Sequence, residues 1–430
     1  MNFDESVKYL YSLGHETLAM KLGLENTRRL LAALGEPQKS FLKIQIAGTN
    51  GKGSVAAFLD SICRAASIKT GLFTSPHLVS ITERIKIDGL DISEKKFALL
   101  TTEVRATAEK LISAKQLEAL PTFFEHLTAI GLLAFARENV EVGILETGLG
   151  GRLDSVTAAE AEIAAITQIA LDHQEYLGNT IKEIAAEKAA IVRPDVRAVV
   201  VSNQEPEAMK AVHGKCRECK IALTDSAKIT KIHRIPMLEN YTVSFQTETN
   251  NYSTIDLNLL GRHQADNAAT AISLAEVLRE AGFKISNDNV RYGLETARHA
   301  GRLEFAGNIL YDGAHNEAGA KALADFLQEF IQCKITLVFA AMRDKDLSEI
   351  ASILFPLAEN LILTRAENPR SAAPEKLSEF VPQNFPTEKV FVTESVSEAI
   401  KKAREITAPE DLICVTGSLY LVGEAKSIIG

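Results

Sequence analysis

Gly48-Thr49-Asn50-Gly51-Lys52-Gly53-Ser54 is the stretch on which the fold turns. It follows residues 43–47, a short run suited to a buried strand. It precedes Val55, Phe58, Leu59, Ile62 and Cys63, which recur on one face of a helix. Strand, glycine-rich turn, helix is the opening unit of a nucleotide-binding α/β fold. Glycines let backbone N–H groups turn inward around phosphate oxygens, the helix N-terminus adds partial positive charge, and Lys52 supplies a full one. In the common phosphate loop a Ser or Thr follows the Lys and ligates magnesium. Here Gly53 takes that place and Ser54 comes one residue later, so a metal ligand has to be sought elsewhere in the chain.

Outward from the loop the pattern continues. Phe123, Leu127, Ile130 and Ala134 line one face of a helix. Residues 142–145 form a strand ending at Glu146 and a second glycine cluster, and 163–169 a strand ending at Asp172 and His173; 181–191 is helical. Strands alternating with helices imply a parallel sheet, whose ligands gather at the strands' carboxyl ends. Upstream, 3–34 reads as one helix stopped by Gly35 and Pro37. From about 197 to 260 short β-rich runs (199–201, 241–245, 255–259), separated by polar turns such as 247–254, read as a small antiparallel layer. Residues 266–281 return to helix, and around Gly293 to Gly301 the strand–helix pattern restarts, with runs at 309–311, 335–339, 361–364, 390–392 and 412–415. The expectation is an α/β protein: a phosphate-loop, parallel-sheet domain over 1–296 with a small antiparallel β layer, then a smaller Rossmann-like α/β domain over 297–430. No GxGxxG follows a strand in the second part, so a dinucleotide site is unsupported.

The 430 residues suit two or three domains, and 46% hydrophobic with 24% charged residues is ordinary globular composition. Lys plus Arg number 47 against 56 Asp plus Glu, a net charge of −9, which excludes a general attraction for nucleic acid or anionic lipid. No window of about 18 apolar residues offers a membrane span. The opening MNFDESVKYL lacks the basic-then-apolar order of a secretory leader. Five cysteines, an odd and sparse set, fit a reduced cytoplasm. Cys216 and Cys219 form a lone CxxC with no second pair, a weak zinc signal read as a chance pairing.

Further landmarks join the loop. They include TSPHL from Thr74 with Glu83-Arg84 beyond, Pro121-Thr122-Phe123-Phe124-Glu125, ETGLGGRLD from Glu146, and Leu171-Asp172-His173 with Leu177-Gly178. Then come Glu187-Lys188, His263-Gln264 with Asn267, Gly301-Arg302, DGAHN from Asp312, Asp344-Lys345-Asp346 and TGSLYLVG from Thr416. In this order and over nearly the whole chain they resemble the folylpolyglutamate synthases and bifunctional dihydrofolate synthases, ATP-dependent amide ligases related to the Mur ligases. The resemblance implies a reaction. ATP phosphorylates a folate carboxylate, or in bifunctional members that of dihydropteroate, to an acyl phosphate, and the amine of L-glutamate displaces phosphate to form an amide. Two anions must meet, so cations have to screen both.

The same resemblance assigns residues. Thr49, Asn50, Gly51, Lys52, Gly53 and Ser54 would hold ATP, with Asn267 on the adenine side and Arg302 and Asp312 reaching in from the second domain. Two Mg²⁺ ions would be held by Ser75, Glu146, His173 and Lys188, the lysine as a carbamate formed with CO₂. From spacing alone His173 is as well read as a core or surface histidine, Ser75 as a turn cap, and Lys188 as a solvated helix residue. Lys52, Glu146, His173 and Lys188 are the residues expected to carry the chemistry. The pteridine is expected at Thr122, Phe123, Phe124 and Glu125 and at Leu153, Asp154 and Ser155. Phe123 and Phe124 are suited either to stacking on a flat heterocycle or to filling the core of the following helix. The family often reads LDATN where this chain has Leu153-Asp154-Ser155-Val156-Thr157, which keeps the Asp and loses the Asn. His315 and Ser418 would border the glutamate pocket. The expected partners are small molecules only, and the expected state is a monomer. Rival readings are a Mur-type ligase acting on a UDP-sugar peptide, a nucleotide-hydrolysing switch, and a nucleotide binder without catalysis.

Overall fold

The computed structural model describes residues 1–14, 23–235 and 240–429. Among them the strands form three sheets. The large one is built from β1 (Leu42–Ala47), β2 (Thr70–Phe73), β3 (Ile85–Ile87), β4 (Leu90–Asp91), β5 (Val142–Glu146), β6 (Ile163–Ile166), β7 (Ala198–Val201) and β8 (Leu223–Asp225), in the order β4-β3-β2-β5-β1-β6-β7-β8. From β2 to β8 every pairing is parallel, and β3 and β4 add an antiparallel edge. The central strands β5, β6 and β7 are near-continuous apolar runs, as burial on both faces demands. Helices α3 (Lys52–Ala65), α9 (His263–Glu280) and α10 (Asn287–Thr296) cover one face. The other is covered by α1 (Phe3–Ser12), α2 (Glu25–Ala33), α4 (Glu94–Ser113) and α5 (Phe123–Arg137), and further along by α7 (Ile181–Ala189) and α8 (Pro206–Cys219). Phe58 and Ile62 of α3 are fully buried, which contributes about 1.5–3 kcal/mol each.

The second sheet runs β12 (Glu304–Ala306), β13 (Ile309–Asp312), β17 (Leu412–Thr416), β14 (Ile335–Phe339), β15 (Asn360–Leu363), β16 (Val390–Val392), all parallel except for β12 at the edge. The third is antiparallel, β11 (Asn251–Asp256), β10 (Asn240–Gln246), β9 (Lys228–Ile235). It packs on α9, and its Tyr241 meets Phe330 of α11 (Glu317–Phe330) edge-on, with ring centroids 5.2 Å apart.

Four sequence expectations need correction. The helix expected over 3–34 is two helices, α1 and α2; Gly14 takes φ 100° after α1, and residues 15–22 lie outside the described set. Residues 199–201 belong to the large parallel sheet, not the antiparallel layer, because three fully buried valines in a row fit a central strand. The strand expected over 163–169 ends at Ile166, where the chain leaves the ladder toward the cavity. The polar turn expected over 247–254 is partly strand: β11 starts at Asn251, and with β9 it was hidden by polar residues that alternate on an exposed face.

One topological feature positions the site. The chain leaves β1 for β2 on one side, fills β5 between them, then crosses to β6 on the other side. Beside β1 the strand order reverses, and the loops after β1, β5 and β6 lie together at the carboxyl edge, where open α/β sheets bind ligands. Among the described residues no helix is long and apolar enough to cross a membrane.

Candidate active site

At that edge, facing the second sheet, is a cavity of about 540 Å³. It is lined by the phosphate loop, by Ser75, Glu146, His173, Lys188, Asn267, Arg302, Asp312, His315 and Ser418, and by residues 122–125 and 153–155. The fold therefore gathers the residues expected to hold ATP, Mg²⁺, the pteridine and glutamate into one space of ligand-pocket size.

The phosphate loop is pinned by its neighbours. The N–H groups of Thr49 and Asn50 donate to the carbonyl of Gln168 at 2.8 and 3.1 Å. Thr49 Oγ1 donates to the Ala170 carbonyl at 3.0 Å. These two residues anchor the loop, which leaves the first turn of α3, with no side-chain cap, as its anion-binding end. Gly51 enters α3 at φ 88°, and a Cβ there would lie 2.2 Å from Asn267 Oδ1. Only glycine fits. Asn267 thus packs on the loop itself, and it also donates to Gln264 Oε1 at 3.0 Å. Ser54 Oγ sits between Gln264 Nε2 at 3.2 Å and His299 Nδ1 at 3.3 Å.

Two ammonium groups converge on one carbonyl. Lys188 Nζ donates to the Gly48 oxygen at 2.8 Å, and Lys52 Nζ to the same oxygen at 3.1 Å and to that of Thr49 at 3.0 Å. Lys188 is 4% exposed, which overturns its reading as a solvated helix residue. Burial, with Lys52 nearby, pulls its amine down to about 7. Burial also lowers Lys52, opposed by Glu146 and Asp172. Glu146 ends β5 and is neither a cap nor a surface acid. Burial raises its carboxyl, while Lys52 and the Ser75 N–H, which donates to Oε2 at 3.0 Å, hold it down. His173 starts the short helix α6 (Gln174–Leu177) at φ 49°, and burial depresses its imidazole to about 3, so it is neutral.

On the far wall, burial raises the carboxyl of Asp312, whose oxygens accept the N–H groups of Leu303 at 3.0 Å and Ala314 at 2.9 Å. It thereby clamps the turn carrying Arg302, which donates from NH1 to the Gly313 carbonyl at 3.2 Å. His315 Nδ1 pairs with the same carbonyl at 2.8 Å, which assigns the proton to that nitrogen. Ser418 is 2% exposed and accepts the Leu421 N–H at 3.1 Å at the start of α15 (Leu419–Ile429).

The opposite end is internally satisfied. Thr122 and Glu125 form a capping box that starts α5, and Glu125 Oε1 also accepts from Thr27 at 3.2 Å. Phe123 is buried and stacks on Tyr11 with centroids 5.4 Å apart, whereas Phe124 is half-buried against Gly148. Asp154 accepts the N–H groups of Leu149 and Val156, and Ser155 Oγ bonds Thr128 Oγ1 at 2.6 Å. Sequence reasoning gave no role to Asp172, Asn316 and Lys345, although each stood in a quoted motif, and it passed over His299, which stands in none. The CxxC pair lies buried on α8 with both thiols free, as are those of buried Cys63 and Cys414, and among the described residues no cluster of His, Cys, Asp or Glu gathers for a metal.

Residues 46–275 match the Mur ligase middle domain and 301–419 the Mur ligase glutamate ligase domain. The chain is 33% identical over 425 residues to the dihydrofolate synthase/folylpolyglutamate synthase of Bacillus subtilis, covering 96% of each chain. It is 30% identical over 432 residues to the protein of that name from Escherichia coli, covering 98% of this chain and 94% of the other. Among solved structures, Mycobacterium tuberculosis folylpolyglutamate synthase complexed with ADP superposes with a TM-score of 0.91 at 31% identity, covering 100% and 99%. E. coli FolC in complex with DHPP and ADP gives 0.87 at 28% identity, covering 100% and 98%. Matched in order by both Mur ligase domains and along nearly its full length by these enzymes, the chain belongs to the folylpolyglutamate synthase/dihydrofolate synthase family of the Mur ligases.

Proposed function

We propose that this chain is an ATP-dependent carboxylate–amine ligase that joins L-glutamate to a folate or to dihydropteroate through an acyl phosphate. The observation that carries the reading is the pairing of a lysine-bearing, uncapped helix N-terminus with Glu146, His173 and Lys188 in one cavity between two sheets. The whole-length likeness to folate ligases speaks against a UDP-sugar peptide as substrate.

Each residue has a task in this reading. The α3 N-terminus and Lys52 bind the triphosphate, and Arg302 approaches it from the far wall, so that negative charge moving from the terminal phosphate to the acyl phosphate stays screened. Asp312 holds Arg302 in place. Asn267 borders the loop on the nucleoside side. His315 and Ser418 border the space for the incoming glutamate, and residues 122–125 and 153–155 the space for the pteridine, where half-buried Phe124 is free to stack and Phe123 is engaged with Tyr11.

Mg²⁺ fits one part of this donor set as it stands. Glu146 offers hard carboxylate oxygens and Ser75, whose N–H donates to one of them, adds a hydroxyl to the same wall of the cavity, and magnesium completes its shell with water and substrate phosphates. A second ion at His173 fits only if Lys188 exchanges its positive charge for a carbamate. An amine held near 7 is free base often enough to react with CO₂. When bound, the ions would neutralise phosphate charge during transfer. Both halves of the cavity come from one chain, which suits a monomer, and the free buried thiols of Cys63, Cys216, Cys219 and Cys414 suit the cytoplasm. We place the domain boundary at 296/297, between α10 and the start of the second sheet.

The test is to incubate the purified protein with ATP, Mg²⁺, labelled L-glutamate and either dihydropteroate or tetrahydrofolate. Label in either product supports the reading and identifies the acceptor. Nucleotide cleavage with no label in either would remove it.

A further inference from the structure

Asp172 has no task in the chemistry set out above, yet both of its oxygens are engaged. Oδ1 accepts from Lys345 Nζ at 2.5 Å and from the N–H of His173 at 2.8 Å. Oδ2 accepts from Asn316 Nδ2 at 3.2 Å and lies 3.7 Å from His315 Nε2. Lys345 follows β14, and His315 and Asn316 follow β13, so two donors, Lys345 and Asn316, come from the second sheet to one acceptor on the first, with the His315 ring beside them. Asn316 Nδ2 also donates to Asn50 Oδ1 of the phosphate loop at 3.0 Å. The Asp172 and Lys345 side chains are each 7% exposed.

A pair this deeply buried adds little net stability compared with two packed apolar side chains, because both charges lose their water. What it fixes is geometry: the separation and direction of the groups it joins. A second contact between the two sheets' neighbourhoods lies at the antiparallel sheet. There Arg234 and Arg262 pair with Glu329 of α11, and the Arg234 guanidinium covers Phe330. That flank combines ion pairs with edge-on aromatic rings and lies at α11, whereas Asp172 is in the cavity. The two contacts suit a bearing and a stop.

We propose that Asp172 is a positioning residue. It stops the second domain where Lys345, His315 and Asn316 lie over the phosphate loop, and it passes that arrival to His173 through the oxygen that Lys345 and the His173 N–H share. For its kinetic part this rests on the ligase reading.

The test uses Asp172→Asn, Lys345→Met, their combination, and Lys345→Arg in the full chain. Each of the first two is expected to lower kcat by about 30-fold or more, the usual order for removing one partner of a buried charge pair. The KM for ATP should stay within about threefold, since the loss is not in nucleotide binding. The combination should be no slower than the poorer single variant, because both act through one contact. Lys345→Arg should regain most of the rate. Independently, solution scattering with ADP alone should give a larger radius of gyration for Asp172→Asn than for the unaltered protein. Losses that multiply, or a radius unchanged by the substitution, would overturn the proposal. The scattering needs neither folate nor glutamate. An unaltered protein that joins no glutamate to any folate therefore counts against the ligase reading alone.

Discussion

The two ends of the cavity are made on opposite principles. At the phosphate end, Lys52, Glu146, His173 and Lys188 are buried charged or titratable groups, each displaced from its ordinary pKa by loss of water. At the pteridine end, Thr122, Glu125, Asp154 and Ser155 are just as buried, but each is tied into a helix cap or turn. The first end is poised and destabilised; the second is a scaffold with few free polar atoms. Substitutions at the phosphate end should therefore cost rate, and those at the pteridine end should cost stability.

The largest effect is expected at Lys52. Lys52→Met should lower kcat/KM by about 10³-fold or more, since it removes a full charge from the transferring phosphate in a site of low dielectric. The same variant should melt no lower than the parent, because a desolvated ammonium is gone. A variant that melts early yet turns over within tenfold of the parent would erase the contrast between the two ends.

Lys188 sharpens it. Its amine sits near 7 in the folded protein, far below a lysine in the unfolded chain. Between these values the unfolded state binds more protons, so stability rises with pH above about 7 and is lowest below it, where the buried amine must stay charged. Lys188→Met should be more stable than the parent at pH 6. Its advantage should shrink by about 1.4 kcal/mol per pH unit above 7, read from denaturant midpoints at several pH values. The variant should also lose activity, and short carboxylic acids should partly restore it in place of a carbamate. Full activity without them would take the carbamate out of the reaction.

The poised end was also the legible one. A glycine-rich loop with Lys52, and carboxylate and imidazole residues at strand ends, announce themselves because their residue types are costly to place anywhere without a reason. Burial is what the sequence conceals. Lys188 reads as solvated on a helix because its neighbour Glu187 is charged, and only the close approach of α7 to Gly48 puts it inside. Asp172 and Lys345 stand 173 positions apart, and nothing local to either says they meet. The alternating β9 and β11 escaped for a related cause: a strand with one polar face looks like a turn until its apolar face finds a helix, α9 for β9 and α10 for β11.

Phe123 and Phe124 put both behaviours side by side. Phe123 is 2% exposed, stacked on Tyr11, with the Arg84 guanidinium 5.5 Å from its ring centre. Phe124 is half-buried and faces the cavity beside Gly148. Phe123→Ala should destabilise the protein by about 3 kcal/mol, the ordinary loss for a core aromatic. Phe124→Ala should cost about 1 kcal/mol and act mainly on the KM for the pteridine substrate. Melting curves with substrate titrations decide the ranking, and a reversed order would mean that the buried ring is the stacking surface.

The smallest effect belongs to Thr128, one turn further along α5. Its hydroxyl bonds Ser155 Oγ at 2.6 Å and donates to the Phe124 carbonyl at 2.9 Å, but it does not line the cavity. Thr128→Ala leaves Ser155 without that buried partner, and about 1 kcal/mol of stability should go with it. Turnover should stay within about twofold, as for most changes away from reacting groups. If kcat fell instead while the melting temperature held, the hydrogen bonds behind the pteridine wall would be setting the substrate's position, and this end of the cavity would have to be counted with the reactive one.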